Sequence, residues 1–125
     1  MDPAAHPVRF VLIVEDDAAN RDLLTAVVRR AGLGARTVTN GLSGLDVLAH
    51  GEMPVAVILD LDMPVMNGIE FLGALRKLPA ARSVPVILAT GSADASGLKD
   101  LGVAAVLPKP VDVAKLTAVL QKLVE

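Results

Sequence analysis

The chain has no cysteine, no tyrosine and no tryptophan, and only two phenylalanines. Without cysteine there is no disulfide, no thiolate metal site and no cysteine nucleophile. With so few rings there is no aromatic platform on which nucleic-acid bases would stack. A basic excess is missing too: the formal net charge is -2 at pH 7, which argues against a binder of phosphate backbones. The mean hydropathy of +0.55 is high, yet no uninterrupted apolar run approaches the roughly 18 to 20 residues that a spanning helix needs. The first residues, Met1 to Pro7, lack the basic-then-apolar order of a signal peptide. The expectation is a soluble, cytoplasmic chain with no membrane insertion and no direct nucleic-acid partner. Residues 1–8 read as a loose tail and residues 9–125 as one domain.

What is present is aliphatic. The apolar fraction is 53%, carried by Ala, Val and Leu, so the core must be built from small and branched side chains. Four short apolar segments rich in β-branched residues, Phe10–Val14, Val55–Leu59, Val86–Ala89 and Val103–Leu107, read as strands of a parallel sheet buried on both faces. A fifth, Ala35–Thr39, alternates polar and apolar residues and suits an edge. Helical spacing predicts helices over Asn20–Ala31, stopped by Gly32, and over Leu42–Ala49, stopped by Gly51. A third covers Gly68–Lys77, with Asn67 as its cap and Glu70 three residues on. The last begins after Asp112 and lines Leu116, Leu120 and Leu123 on one face. Ala93–Leu101 is the weakest helix, interrupted by Gly97, which costs about 1 kcal/mol against Ala.

Five repeats of strand then helix, with no linker between them, predict an α/β doubly wound sheet with helices on both faces. Ligands in such folds bind at the carboxyl ends of the strands. Glu15, Asp16, Asp60, Thr90 and Lys109 all follow strands directly, and all five belong to that edge. Three converging carboxylates repel one another unless a cation enters. An ionised Asp60 beside Mg²⁺ can attack phosphorus and form an acyl phosphate. Glu15 and Asp16 can hold a hard cation through oxygen. Thr90 offers a hydroxyl, Gly91 a backbone N–H with no side chain to block approach, and Lys109 a positive donor. Each position alone has a plainer reading. The acid pair could cap the first helix, although Asp17 could do so instead, and Thr90-Gly91 could be a simple turn. Five such positions in order on one edge make the plain reading the weaker one.

The chain resembles the receiver domains of two-component response regulators. The matching text is Val11-Leu12-Ile13-Val14-Glu15-Asp16-Asp17, Val57 to Gly68 around Asp60 and Met63-Pro64, Val84 to Gly91, and Val106-Leu107-Pro108-Lys109-Pro110. The resemblance spans about residues 9 to 124. It implies a flavodoxin-like five-stranded sheet of order 2-1-3-4-5 with five helices, the fourth shortened. It implies a signalling receiver, not an enzyme, that assists its own Mg²⁺-dependent phosphorylation and dephosphorylation. Asp60 would take a phosphoryl group from a sensor histidine kinase or a histidine phosphotransfer protein and so switch binding to a downstream protein. Glu15 and Asp16 take the acidic-pair positions, and the Asp62 main-chain carbonyl takes the third protein-ligand position. Thr90 and Lys109 take the positions of the switch hydroxyl and the conserved-type lysine. The resemblance further implies a cis Lys109-Pro110 bond and a kinase-docking role for the first helix, with Asn20, Arg21 and Leu24.

The chain departs from the pattern where the signal is read out. Val106 stands where receivers commonly carry Tyr or Phe, so there is no ring to rotate with Thr90. Val111 stands where Phe is frequent after Lys-Pro, and the stretch from Thr90 to Lys109 is about three residues shorter than the family leads one to expect. Asp62 adds a fourth carboxylate that either helps attract the cation or is merely solvated. His6 and His50 have no partner in view. Two alternatives stay open at this point. One is a phosphatase of the haloacid-dehalogenase type, whose Asp-x-Asp resembles Asp60-Leu61-Asp62. The other is a binding module that keeps the fold but is never phosphorylated. The expected arrangement is a stand-alone receiver, with a fragment of a longer regulator as the other possibility.

Overall fold

A computed structural model describes residues 9–61, 63, 66–91, 98 and 101–124. Five parallel strands, β1 (Phe10–Val14), β2 (Gly34–Val38), β3 (Ala56–Asp60), β4 (Val86–Thr90) and β5 (Ala105–Pro108), form one sheet in the order β2-β1-β3-β4-β5. Four helices are found among the described residues: α1 (Ala18–Arg30), α2 (Gly41–Ala49), α3 (Gly68–Arg76) and α4 (Val113–Val124). The helix expected over Ala93–Leu101 lies mostly outside the described residues. Only Leu98 and Leu101 of that stretch are described, and both pack against the core. The doubly wound fold is as expected, with four helices described where five were expected.

Side chains alternate across each strand, and this alternation divides the core in two. Leu12, Val14, Val57, Leu59, Val86 and Leu88 face α2 and α3, where Leu48, Phe71, Leu72 and Leu75 cover them. Val11, Ile13, Ile58, Ile87 and Leu107 face α1 and α4, where Leu24, Val27, Val28, Leu116 and Leu120 cover them. Burial of β1, β3 and β4 on both faces explains why those segments are continuously apolar. β2 is an edge strand, as its mixed pattern predicts. β5 is the other edge, as the order 2-1-3-4-5 implies, but with Ala105 and Val106 half-buried and Pro108 exposed it is not covered on both faces as its apolar run suggests. Pro108 suits an edge because it donates no ladder bond.

Helix boundaries follow caps more than apolar spacing. The Asp17 side chain accepts from the Asn20 N–H at 2.9 Å and starts α1 two residues earlier than expected. Asn40 caps α2 through the Ser43 N–H at 2.9 Å. Asn67 and Glu70 form the reciprocal capping box that their spacing predicts. Asp112 accepts from the Lys115 N–H at 3.0 Å and starts α4. Gly32 and Gly51, at φ +83° and +86°, turn the chain out of α1 and α2 through a conformation that L side chains rarely adopt.

Two other glycines let the layers close. A Cβ on Gly44 would lie 2.9 Å from the Phe71 ring, so α2 sits directly over the one fully buried aromatic. A Cβ on Gly68 would lie 2.8 Å from the Leu61 Cα and 3.1 Å from the Asp60 carbonyl oxygen. The Gly68 N–H donates to the Leu61 carbonyl at 2.9 Å. The first turn of α3 therefore presses on the backbone that leaves Asp60.

Candidate phosphoryl-transfer site

The strand order reverses between β1 and β3, which are hydrogen-bonded neighbours with Val14 opposite Leu59. A crevice opens at the carboxyl ends of such a pair. Glu15 follows β1 and Asp60 ends β3, so the reversal places both acids at one point. Glu15 is held there by its backbone, whose N–H donates to the Val38 carbonyl at 3.1 Å. Oxygens of Glu15, Asp16 and Asp60 all lie within 4.8 Å of one another. Glu15 and Asp60 are 1% and 3% exposed, whereas Asp16 is open to solvent.

Lys109 reaches this cluster from the far side of β4, just beyond β5. Its Nζ lies 2.9 Å from Asp60 Oδ1 and 3.4 Å from Glu15 Oε1. Its position is set by the Lys109 N–H, which donates to the Thr90 carbonyl at 2.8 Å, and the following Lys109-Pro110 peptide is cis, as expected. Thr90 is fully buried one residue beyond Ala89, the register partner of Asp60. Gly91 is exposed, and a Cβ there would meet no atom of the described residues within 4 Å. Asp62 and Ser92 lie outside the described residues.

One ammonium faces three carboxylates. At an effective dielectric of about 20, two unit charges at such a separation repel by roughly 3 kcal/mol. Burial, then the adjoining Asp60 carboxylate, pushes the Glu15 carboxyl up to about 7, against the opposing pull of Asn20 and Lys109. Burial alone would lower the Lys109 ammonium. Its bond to Asp60 and the charges of Asp60 and Glu15 outweigh that and raise it. Glu15 Oε2 is buried and has no hydrogen-bond partner among the described residues. An all-oxygen set with an orphaned buried carboxylate oxygen suits a hard divalent cation.

The residues expected at this edge are thus brought together, apart from Asp62. Two contributors escape a reading by strand ends. The Arg21 guanidinium donates to the Glu15 and Asp16 carbonyls at 3.1 and 2.8 Å. Gly68 permits the close approach behind Asp60. Sequence spacing carries a signal for Arg21 only in that it falls in the turn after the acid pair. Val106 is half-buried against Leu88, and Val111 lines the recess beside Asp60 and Lys109.

Residues 11–121 match the family described as the response regulator receiver domain. The chain belongs to this family. The receiver is 32% identical over 113 residues to sporulation initiation phosphotransferase F of Bacillus subtilis, covering 90% of each chain. It is 28% identical to the sensor histidine kinase CheAY of Helicobacter pylori, but spans only 15% of that protein's length. It superposes on chemotaxis response regulator CheY4 of Vibrio cholerae with a TM-score of 0.82 at 27% identity, covering 94% and 99% of the two chains. The receiver domain of a sensor histidine kinase from Pseudomonas aeruginosa, solved with a magnesium ion coordinated in its active-site cleft, gives 0.83 at 26% identity, with 94% and 98% covered. Receivers act in phosphorelay signal transduction, and phosphorylation of an aspartate is characteristic of them. No helix of the described receiver is long and apolar enough to cross a membrane. The dehalogenase alternative loses its footing, because Asp60 ends the third strand of a receiver sheet.

Proposed function

We propose that Asp60 is the phosphoacceptor of this receiver, with Glu15, Asp16, Asp60 and the Asp62 main-chain carbonyl as the protein ligands of Mg²⁺. The observation that carries this is the meeting of Asp60, Glu15, Asp16 and Lys109 at the switch point, with Glu15 Oε2 buried and unpartnered among the described residues. Bound Mg²⁺ would neutralise the acid cluster and the phosphoryl oxygens. An Asp60 carboxylate oxygen attacks phosphorus in line with the donor nitrogen. The new bond is O–P, the bond broken is P–N of a phosphohistidine, and the imidazole nitrogen keeps the electron pair and takes a proton. Lys109, already 2.9 Å from Asp60 Oδ1, follows the charge onto a phosphoryl oxygen. The Thr90 hydroxyl and Gly91 N–H complete the donors on the open side. The same ligands and a water return the carboxylate, so the receiver assists both its phosphorylation and its dephosphorylation.

The donor is a sensor histidine kinase or histidine phosphotransfer protein, and the output is binding to another protein in the cytoplasm. Half-buried Val106 supplies no ring, so Thr90 movement would be reported by aliphatic repacking against Leu88. Incubation with a small phosphoramidate or acyl phosphate and Mg²⁺, followed by mass measurement, tests the assignment. Wild type should gain one phosphoryl group, and Asp60→Asn should gain none. Absence of an adduct on wild type with a reactive donor would return the binding-module reading.

A further inference from the structure

We infer that Arg21 is a positioning residue for the cation site, acting through the backbone of the two residues that precede α1. Glu15 and Asp16 lie between the end of β1 and the start of α1. The half-buried Arg21 side chain donates from Nη1 to both carbonyls, at 3.1 Å for Glu15 and 2.8 Å for Asp16. Its own backbone N–H is fixed on the Asp17 carbonyl at 2.9 Å, so the guanidinium is delivered from the rigid first turn of α1. Among the described residues Arg21 forms no ion pair, although Asp16 and Glu15 are close by.

The choice of carbonyls over carboxylates matters. Binding two successive carbonyls fixes two peptide planes, and with them the directions in which the Glu15 and Asp16 side chains leave the chain. Self-repelling carboxylates on a free loop would splay apart before a cation arrived. Tying their backbone from behind keeps the oxygens converging without the guanidinium itself occupying them, which lowers the ordering cost of binding. A ligand's supporting partners typically contribute about 10- to 100-fold to metal affinity.

Charge alone predicts the opposite sign. A guanidinium beside the site repels a cation, so its removal would tighten binding if Arg21 acted only through its field. Positioning predicts weaker binding when Arg21 is removed. This inference rests on the proposed function, since it presumes that the acid cluster binds Mg²⁺.

The test is direct titration of the whole chain with Mg²⁺ by calorimetry, without any phosphodonor, for wild type, Arg21→Met, Arg21→Lys and Asn40→Ala. The last loses the α2 cap and controls for stability. Arg21→Met should bind Mg²⁺ about 10-fold or more weakly. Arg21→Lys, which keeps a donor on a shorter and more flexible stem, should recover part of that loss. Asn40→Ala should bind like wild type. Unchanged or tighter binding by Arg21→Met overturns the positioning role while the Mg²⁺ reading stands. Equal weakening in Asn40→Ala overturns it in favour of a general stability effect. No binding by wild type overturns both readings.

Discussion

Replacing Glu15 by glutamine should stabilise the cation-free protein at alkaline pH, because the buried carboxylate is held against its own ionisation. In the folded chain Glu15 titrates at about 7, against an ordinary 4.5. Burial is the first cause and the Asp60 carboxylate the second, with Asn20 and Lys109 opposing. A carboxyl that holds its proton more tightly when folded favours the folded state at low pH. That contribution is fully present below 4.5, declines as the pH rises, and is gone above about 7. The interval between 4.5 and about 7, at roughly 1.4 kcal/mol per pH unit, sets an upper bound of about 3 to 4 kcal/mol. Glutamine keeps the shape but gives up the charge that attracts Lys109, so the expected gain at pH 8 is about 1 to 3 kcal/mol. In a domain of this size each kcal/mol moves the melting temperature by roughly 3 to 5 °C. Thermal unfolding followed by far-ultraviolet circular dichroism with a chelator should show Glu15→Gln melting several degrees above wild type at pH 8. At pH 5 the two should nearly converge. Adding Mg²⁺ at pH 8 should raise wild type and move Glu15→Gln much less. A variant that is less stable than wild type at pH 8, or a gap equal at both pH values, would refute the electrostatic argument.

Gly68→Ala should cost about 1 to 3 kcal/mol in chemical unfolding, since its Cβ meets the Leu61 backbone at 2.8 Å, and it should also slow phosphoryl uptake. Gly73→Ala, on α3 with nothing within 4 Å, should instead stabilise by about 0.5 to 1 kcal/mol in the same assay. Phe71→Ala should cost about 3 to 5 kcal/mol, because the ring is fully buried under α2 and Gly44. Removing the Asp17 cap with Asp17→Ala should cost about 1 kcal/mol in chemical unfolding.

The strands were readable because burial on both faces demands unbroken apolar residues, as in Val11 to Val14 and Val57 to Leu59. The apolar run of β5 overstated its burial, because a short run does not say how many of its faces are covered, while its edge position followed from the expected strand order. Helix starts were missed by a residue or two where a capping side chain, Asp17 or Asn40, precedes the apolar spacing. The fourth expected helix, over Ala93–Leu101, lies mostly outside the described residues, and Asp62 and Ser92 lie outside them too. The places of the acid pair, Asp60, Thr90 and Lys109 at the sheet edge were legible because each stands at or just past the end of an apolar run.

The order of residues by itself determined that this is a doubly wound α/β domain with an acidic edge, since strand-end position and apolar periodicity are local properties. Whether the three carboxylates meet was decided by tertiary structure. It depends on β1 and β3 being neighbours and on Lys109 reaching across β4. Those are relations between segments distant in the chain, and Coulomb forces and hydrogen bonds act through distances that only the folded sheet sets.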